Sequence, residues 1–331
     1  MARIRKNAII FLQSVLILVL LCLVAFLLIR MRRQEEPSVP VNAGITQNSQ
    51  PEDVSVRPKG EIEIDWNYDL SGEKILLSDA TYGQIYLPVY DNVPAFAQNR
   101  DQIVSRNGRR YYVSGGEITS DMGIDVSAHQ GEIDWEKVKA SGIDFVFIRI
   151  GYRTYGGGDV MADSMFRQNY EGAKAAGLQV GVYFFSQAIS EEEAVEEANF
   201  VVRQLRDCQL DLPVTYDWEL IYDDTARTDN VPVDVLTDCC LAFSGVVEHA
   251  GYEPMIYQNK RTSLLKLDLP RLQGISFWLA EYGSIPTYYY DCQYWQYSCK
   301  GKVPGIQGDV DLNLYFPELP QPEPEESPES K

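Results

Sequence analysis

Two carboxylates follow a predicted buried strand in the segment VTYDWEL, residues 214–220. The stretch 214–216 is β-branched or aromatic, as in a buried strand, and Asp217 and Glu219 follow at positions i and i+2. The period of two in a strand turns both side chains to the same face. Because neighbouring like charges repel each other, each carboxylate is expected to raise the pKa of the other, and a carboxyl with a raised pKa suits general acid catalysis. The structural alternative is a solvated strand end or an ion pair with a nearby basic residue.

Two further aspartates fall at the ends of predicted strands. Asp125 ends the strand GIDVS, and Asp311 lies in GDVDLN near the last predicted strand. In a parallel barrel the strand ends converge on the active site, so these acids are expected to meet Asp217 and Glu219. The aromatic residues expected nearby are Tyr183, Phe185, Trp218, Trp278, Tyr282 and Trp295. Carboxylates beside aromatic faces suit carbohydrate hydrolysis, since sugar rings stack on aromatic rings and the glycosidic oxygen must be protonated.

The region from about 121 to 316 alternates strand and helix patterns. Buried strands are predicted in GIDVS, DFVFIRI, LQVGVYFFS, LPVTYDWEL, PMIYQ and FWLAEY, and helices in IDWEKVKASG and over 163–177, 190–206 and 232–250. Ser190 and Glu193 form a capping-box pattern. Repeated strand–helix units predict an α/β fold with a closed parallel barrel. Full crossover helices do not fit between Trp278 and Tyr315, so we expect an irregular TIM-like barrel with a β-rich second half.

The segments outside residues 117–316 differ in composition. Ala8 to Ile29 form a 22-residue apolar run, about 33 Å as a helix and long enough to cross a bilayer. A cleaved signal peptide is disfavoured because the run is too long and no small-x-small site closes it. The predicted organisation is a cytoplasmic stub and transmembrane signal anchor (1–33), a flexible linker (34–60), a small β-rich segment of unknown role (61–116), the barrel (117–316) and a disordered Pro/Glu tail (317–331).

The charge of the chain argues against a nucleic-acid partner. Residues 1–33 hold six of the 29 basic residues and no acid, so the remainder carries 23 basic against 48 acidic side chains. Such a body repels polynucleotides, and a neutral or sugar-based substrate fits it better. No G-x-G-x-x-G or G-K-[ST] pattern follows a predicted strand, and no cysteine or histidine spacing suits zinc. We therefore expect neither a cofactor nor a metal.

The cysteines leave two possibilities open. Besides Cys22 in the apolar run, the chain has Cys208, Cys239, Cys240, Cys292 and Cys299. Cys292 and Cys299 flank a short segment and could close a small disulfide loop in an oxidising compartment. Simple buried thiols are an equal alternative.

Several separated motifs resemble family 25 of the glycoside hydrolases, the cell-wall N-acetylmuramidases known as Chalaropsis-type lysozymes. The motifs are GIDVSAHQGEIDWEKVKASGIDFVFIRIGY, GVYFFS, LPVTYDWEL, FWLAEY, and YWQYS with VPGIQGDVDLN, in the order found in that family. The resemblance covers about residues 121–316. It implies cleavage of the β-1,4 bond between N-acetylmuramic acid and N-acetylglucosamine. It also implies that Glu219 is the catalytic acid, with Asp217, Asp125 and Asp311 as further catalytic carboxylates.

The resemblance further implies sugar contacts by Tyr183, Phe185, Trp278, Tyr282 and Gln296. Many relatives carry a histidine after the tyrosine of GVYFFS, where this chain has Phe184. This departure is expected to alter a contact with one sugar. Inverting, retaining and substrate-assisted routes all stay open, and in the third Asp217 would orient the 2-acetamido group of the substrate.

These features together predict a membrane-anchored peptidoglycan hydrolase. Its expected partners are peptidoglycan glycan strands and the lipid bilayer, the latter through residues 8–29. Basic residues flank both ends of the apolar run, so the positive-inside rule gives almost a tie. Hydrolysis of the cell wall, the predicted function, requires the catalytic domain to lie outside the cytoplasm. We therefore expect a single-pass protein of the cell membrane with an extracytoplasmic catalytic domain. The alternatives are a non-catalytic cell-wall-binding module and a glycosidase that acts on chitin-like polymers.

Overall fold

The structure of the protein is a computed structural model that describes residues 70–222 and 225–316. Its strands are β1 (Lys74–Asp79), β2 (Gly83–Pro88), β3 (Ile103–Arg106), β4 (Arg109–Ser114), β5 (Glu117–Ile118), β6 (Asp121–Val126), β7 (Phe145–Arg153), β8 (Val160–Ala162), β9 (Gln179–Ser186), β10 (Val214–Trp218), β11 (Pro254–Asn259), β12 (Ser276–Ala280), β13 (Tyr294–Gly301) and β14 (Val310–Tyr315). Its α-helices are α1 (Trp135–Ala140), α2 (Phe166–Ala175), α3 (Glu191–Gln204), α4 (Val233–His249) and α5 (Lys260–Lys266).

Three predicted segments lie outside the described residues. These are the transmembrane anchor with its apolar run at 8–29, the linker at 34–60 and the tail at 317–331. Across the two described ranges, no helix has the length and apolar character that a bilayer crossing requires.

Eight strands close into a barrel. Parallel pairing runs from β6 to β7 and on through β9, β10, β11 and β12 to β13. β14 lies antiparallel between β13 and β6 and closes the ring, while β8 pairs only with the end of β7. Residues 281–316 are described throughout and contain two strands and no helix. The predicted irregular α/β barrel with a β-rich second half is therefore confirmed.

The predicted helices are found with slightly shorter bounds, and the cap of α3 differs from the expected capping box. Ser190 Oγ accepts a hydrogen bond from the backbone N–H of Glu193 at 3.4 Å, as predicted. The Glu193 carboxylate accepts from the backbone N–H of Ile189 at 2.9 Å, one residue before the position that a capping box requires.

Strand β7 contributes to two separate cores. Phe145 and Phe147 belong to the cluster that fills the barrel, where the Phe147 ring stacks on Trp278 with centroids 4.6 Å apart. The alternate residues Val146 and Ile148 belong to the larger core outside the barrel wall. Because successive side chains of a strand point to opposite faces, a continuous apolar run serves both cores. The aromatic filling of the barrel forms the floor beneath the strand ends.

Residues 70–118 pack against the barrel and extend its outer core. The β1–β2 hairpin and the β3–β4–β5 sheet are both antiparallel. Ile75, Leu77 and Tyr112 are buried in the same cluster as the outward-facing barrel residues. The rings of Phe96 and Phe316 meet edge to face at 5.1 Å, which joins this segment to the end of β14.

The five cysteines of the described ranges are all free thiols. Cys208, Cys239, Cys240 and Cys292 are buried, and Cys299 is half-buried. Of the two possibilities that the sequence leaves open, the structure has the buried thiols and not the Cys292–Cys299 disulfide.

Candidate active site

The carboxyl ends of the parallel barrel strands and the amino end of the antiparallel β14 surround a groove of about 260 Å³. Asp217 is on β10 and Glu219 directly follows that strand, while Asp311 of β14 is paired with Asp125 of β6. All nine residues predicted for the site line this one groove: Asp125, Asp217, Glu219, Asp311, Tyr183, Phe185, Trp278, Tyr282 and Gln296. Barrel closure brings the first and last strands side by side, and this joins acids that are far apart in sequence.

Two tryptophans predicted near the sugar are in the core instead, so their prediction is wrong. Trp218 is fully buried, and its indole N–H donates to the Ala188 carbonyl at 3.0 Å. Trp295 is also fully buried and stacks on Phe316. The reason is strand alternation: Trp218 lies between two groove-facing acids and must point outward, and Trp295 is the neighbour of the groove-lining Gln296.

The expectation that Phe184 alters a sugar contact is also wrong. Phe184 lies between Tyr183 and Phe185, which both line the groove, so its own side chain points away from it. It is fully buried and packs against Phe200 at 5.9 Å between ring centroids. The residue at this position therefore affects packing behind the barrel wall and not the surface that a sugar would touch.

Burial raises the pKa of Glu219 to about 7, and the negative charge of Asp311 contributes in the same direction. The hydrogen bond between Glu219 and Asp217 lowers the pKa of Glu219. The negative charge that raises this pKa is therefore that of Asp311 and not, as the D-x-E spacing predicts, that of Asp217. Burial also holds the pKa of Asp217 well above its ordinary value, with contributions from Glu219 and Asp125 and an opposing one from Arg149. The pKa of each of these two adjacent acids is thus raised above its ordinary value.

Asp125, the neighbour of Asp311 across β6 and β14, is held by two amide side chains. Gln296 Nε2 and Asn313 Nδ2 donate to Asp125 Oδ2 at 2.9 and 2.8 Å. These bonds lower the pKa of Asp125, but burial and the charge of Asp311 outweigh them and hold it well above its ordinary value. Burial raises the pKa of Asp311 to about 6. The groove therefore concentrates four acids whose charged forms repel one another.

Two of the predicted sugar contacts are mainly engaged with protein atoms. Gln296 Oε1 accepts from the Tyr257 hydroxyl at 2.9 Å and from the Tyr282 hydroxyl at 3.1 Å. The Trp278 indole N–H donates to Asn313 Oδ1 at 2.8 Å, and Trp278 is only 1% exposed. Tyr282 is 57% exposed and keeps most of its ring surface free for a ligand. Gln296 therefore orients Asp125 directly and Trp278 does so through Asn313, while Tyr282 is the better sugar platform.

Sequence reasoning missed Arg149, Asn313 and Tyr257 as parts of the site. Arg149 lines the groove and forms an ion pair with Asp163 at 2.8 Å. Its signal was the one charge that interrupts the apolar run FVFIRI, and the signal for Asn313 was its place in the D-x-N pattern. Tyr257 carried no distinguishing signal in PMIYQ. No cluster of three or more acidic, histidine or cysteine side chains suited to a metal is found in the described part of the chain.

Comparison with known proteins gives related lysozymes. The chain is 29% identical over 197 residues to an autolytic lysozyme of Clostridium acetobutylicum, a match that covers 58% of this chain and 55% of that protein. It is 28% identical over 211 residues to lysozyme M1 of Streptomyces globisporus, covering 59% of this chain and 67% of the relative. This chain thus spans little more than half the length of the clostridial protein.

Solved structures share the fold. The modular autolysin LytC of Streptococcus pneumoniae superposes with a TM-score of 0.54 at 23% identity, over 73% of this chain and 56% of LytC. A family 25 glycosyl hydrolase of Bacillus anthracis gives a TM-score of 0.51 at 21% identity, over 65% of this chain and 96% of that one. The model of glycosyl hydrolases family 25 matches residues 124–306, more than half of the sequence. The chain therefore belongs to glycosyl hydrolase family 25, as its motifs predicted.

Proposed function

We propose that this chain is a membrane-anchored peptidoglycan hydrolase that cleaves the β-1,4 bond between N-acetylmuramic acid and N-acetylglucosamine. Glu219 is the general acid and Asp217 assists it. One observation carries the proposal: Glu219, with a pKa raised to about 7, lies beside Asp217 in a groove at the strand ends. A carboxyl that titrates near neutral pH is suited to donate its proton to the departing glycosidic oxygen.

Asp217 supports the substrate-assisted route among the three that the sequence leaves open. Its Oδ1 is buried and, within the described residues, has no hydrogen-bond partner. A buried acceptor of this kind is costly unless a ligand satisfies it. The N–H of a substrate 2-acetamido group would donate to Asp217 Oδ1, which orients the acetamido oxygen toward the anomeric carbon. Negative charge on Asp311, whose pKa of about 6 favours its charged form at neutral pH, would stabilise the oxocarbenium-like transition state.

The proposed substrate agrees with what is known of the relatives. Two of them are named lysozymes, and LytC has been solved in complex with a synthetic peptidoglycan ligand. Chitin-like polymers are the alternative substrate.

The test replaces the proposed acid while keeping its shape. Glu219→Gln should abolish the clearing of a suspension of purified cell walls and the release of reducing ends, because the amide cannot supply the proton. Glu248→Gln, at an exposed position of α4, is the matched control and should behave as wild type. Wild-type activity in Glu219→Gln would exclude this assignment, and inactive wild type that still binds walls would favour the non-catalytic module.

Product analysis separates the two substrate classes. Muramidase cleavage leaves a muramic acid residue at the reducing end, which mass spectrometry identifies after reduction. Cleavage of chitin oligomers with intact peptidoglycan would support the alternative.

The anchor is proposed from the apolar run at residues 8–29. A linker at 34–60 would keep the barrel within tens of ångströms of the bilayer, which favours local wall remodelling over bulk lysis. Protease treatment of intact protoplasts should digest the barrel if it lies outside the cytoplasm. Protection until the membrane is permeabilised would reverse the proposed orientation.

A further inference from the structure

The connection between β12 and β13, residues 281–293, is held from outside the barrel by the N-terminal segment. The guanidinium of Arg100 donates to two of its carbonyls, Pro286 at 2.9 Å through Nε and Tyr288 at 2.7 Å through Nη2. Arg100 also lies over the Phe96 ring at 4.6 Å, which limits its own freedom. A planar guanidinium that binds two carbonyls fixes their relative position better than a single donor does.

Backbone hydrogen bonds continue this attachment toward the end of the connection. The amide of Phe96 donates to the Tyr289 carbonyl at 2.9 Å, and the amide of Asp291 donates to the Pro94 carbonyl at 2.9 Å. Ala95 forms an isolated antiparallel bridge with Tyr290 between these two bonds. Residues 94–96 therefore pair with the connection much as an added strand would.

A third contact lies at the start of the connection, next to a residue of the groove. Arg110 Nε donates to the Gly283 carbonyl at 3.3 Å, and its guanidinium lies 5.8 Å from the Tyr297 ring centre. Gly283 directly follows Tyr282. The amide of Gly283 also donates to the Tyr297 carbonyl of β13 at 3.1 Å. Gly283 is thus held by the barrel through its N–H and by the N-terminal segment through its carbonyl.

The contacts continue from Tyr282 to the catalytic acids. The Tyr282 hydroxyl donates to Gln296 Oε1, and Gln296 Nε2 donates to Asp125 Oδ2. The exposed ring of Tyr282 lies on an irregular loop, whose ordering costs conformational entropy at every residue. The barrel holds this loop at Glu281, whose carbonyl accepts from the Trp295 indole N–H at 2.7 Å. Because the loop is attached on both sides, the entropy cost of ordering it is met during folding and not during ligand binding. This is the physical basis of a preorganised binding site.

We propose that residues 94–112, here called the bracing segment, position Tyr282 for sugar binding, with Arg100 and Arg110 as the positioning residues. This inference rests on the proposed function, since it assigns a role in binding the same substrate. It gives a role to a part of the chain that lies outside the region 124–306 matched by the family model. The ligand at Tyr282 is a pyranose ring of the glycan strand, which packs an apolar face on the phenol ring.

A double-mutant cycle on a soluble peptidoglycan oligosaccharide tests the inference. Arg100→Ala and Tyr282→Ala should each raise KM about fivefold, the scale of one lost contact, with kcat close to wild type. The double variant should be no worse than Tyr282→Ala, because both changes remove the same binding contact. The matched control is Arg106→Ala, an exposed arginine of β3, which should leave both constants unchanged. Multiplied effects in the double variant, or a wild-type KM in Arg100→Ala, would overturn the inference.

Hydrogen exchange provides a readout that does not depend on activity. In Arg100→Ala the amides of residues 282–291 should exchange at least tenfold faster than in wild type, while those of β6 to β11 should not change. If Arg100→Ala does not fold, Arg100→Lys and Arg110→Ala take its place, since both preserve part of the attachment. Unchanged exchange in the folded variants would refute the bracing role. An inactive wild type with faster exchange in the variants would refute the proposed function alone.

Discussion

The side-chain amide of Gln187 donates a hydrogen bond to the backbone carbonyl of Glu219 at 2.7 Å. Glu219 lies just beyond the last residue of β10, so its backbone is not fixed by the sheet there. Gln187 is fully buried, and its own carbonyl oxygen accepts from the Thr228 hydroxyl at 3.0 Å. A second buried amide, Gln258 Nε2, donates to the Trp218 carbonyl at 2.7 Å. Gln187, directly after β9, and Gln258, on β11, thus hold the chain that carries the proposed acid from both sides of β10.

Gln187→Leu should reduce both stability and turnover. The free energy of unfolding should fall by about 1–3 kcal/mol, because the Glu219 carbonyl and the Thr228 hydroxyl lose a buried partner. The kcat should fall more than KM rises, since the proposed acid loses its fixed position while the sugar platforms remain. Denaturant unfolding and steady-state kinetics measure the two effects. Gln179→Leu, at an exposed position of β9, is the control and should change stability by less than about 0.5 kcal/mol.

Activity should fall as the pH rises through about 7, because Glu219 must carry a proton and its pKa is raised to about 7. The pH profile of kcat/KM would show this as its alkaline limb. Asp311→Asn removes a negative charge that raises the pKa of Glu219, so the alkaline limb should move to lower pH. Asp207→Asn, at an exposed site after α3, should leave the limb in place. An unchanged limb in Asp311→Asn would show that this aspartate does not influence the acid.

Glu219→Gln should stabilise the protein at alkaline pH. The folded state raises the pKa of Glu219 from 4.5 to about 7, so it binds more protons than the unfolded state between these values. The free energy of unfolding therefore falls as the pH rises through this window, and the neutral amide avoids the loss. We expect an advantage of about 2–3 kcal/mol for the variant at pH above about 8, vanishing near pH 4. Urea unfolding at several pH values checks this, and an advantage that is independent of pH would contradict it.

Phe184→His should destabilise the fold without changing substrate binding. A fully buried ring would be replaced by a smaller polar one with no partner, which should lower the free energy of unfolding by about 2–4 kcal/mol. The KM should stay at the wild-type value because Phe184 faces Phe200 and not the groove. Phe185→His provides the contrast: its side chain lines the groove, so it should change KM with a smaller loss of stability. A changed KM in Phe184→His would mean that this side chain reaches the sugar.

The sequence alone was sufficient to predict the barrel and most of the groove. Strand and helix periodicity predicted α2, α3 and α4, and the order of the motifs predicted the family. The acids Asp125 and Asp217 could be assigned because parallel strands deliver their carboxyl ends to one face, so a position at a strand end is also a position in space. Asp311 lies near the amino end of β14, and the antiparallel direction of that strand brings it to the same face. Strand alternation would also have excluded Trp218, since a residue between two groove-facing acids must point the other way.

Tertiary structure decided the features that depend on contacts between distant segments. The charge that assists Glu219 comes from Asp311, which reaches the site only because β14 closes the barrel beside β6. Gln296 hydrogen-bonds Asp125, and Arg100 holds the loop of Tyr282; neither partner lies near in sequence. Local periodicity determines which face a side chain occupies, because it follows from backbone geometry. Which groups meet across that face, and hence the direction of a pKa shift, follows only from how the strands close and what packs around them.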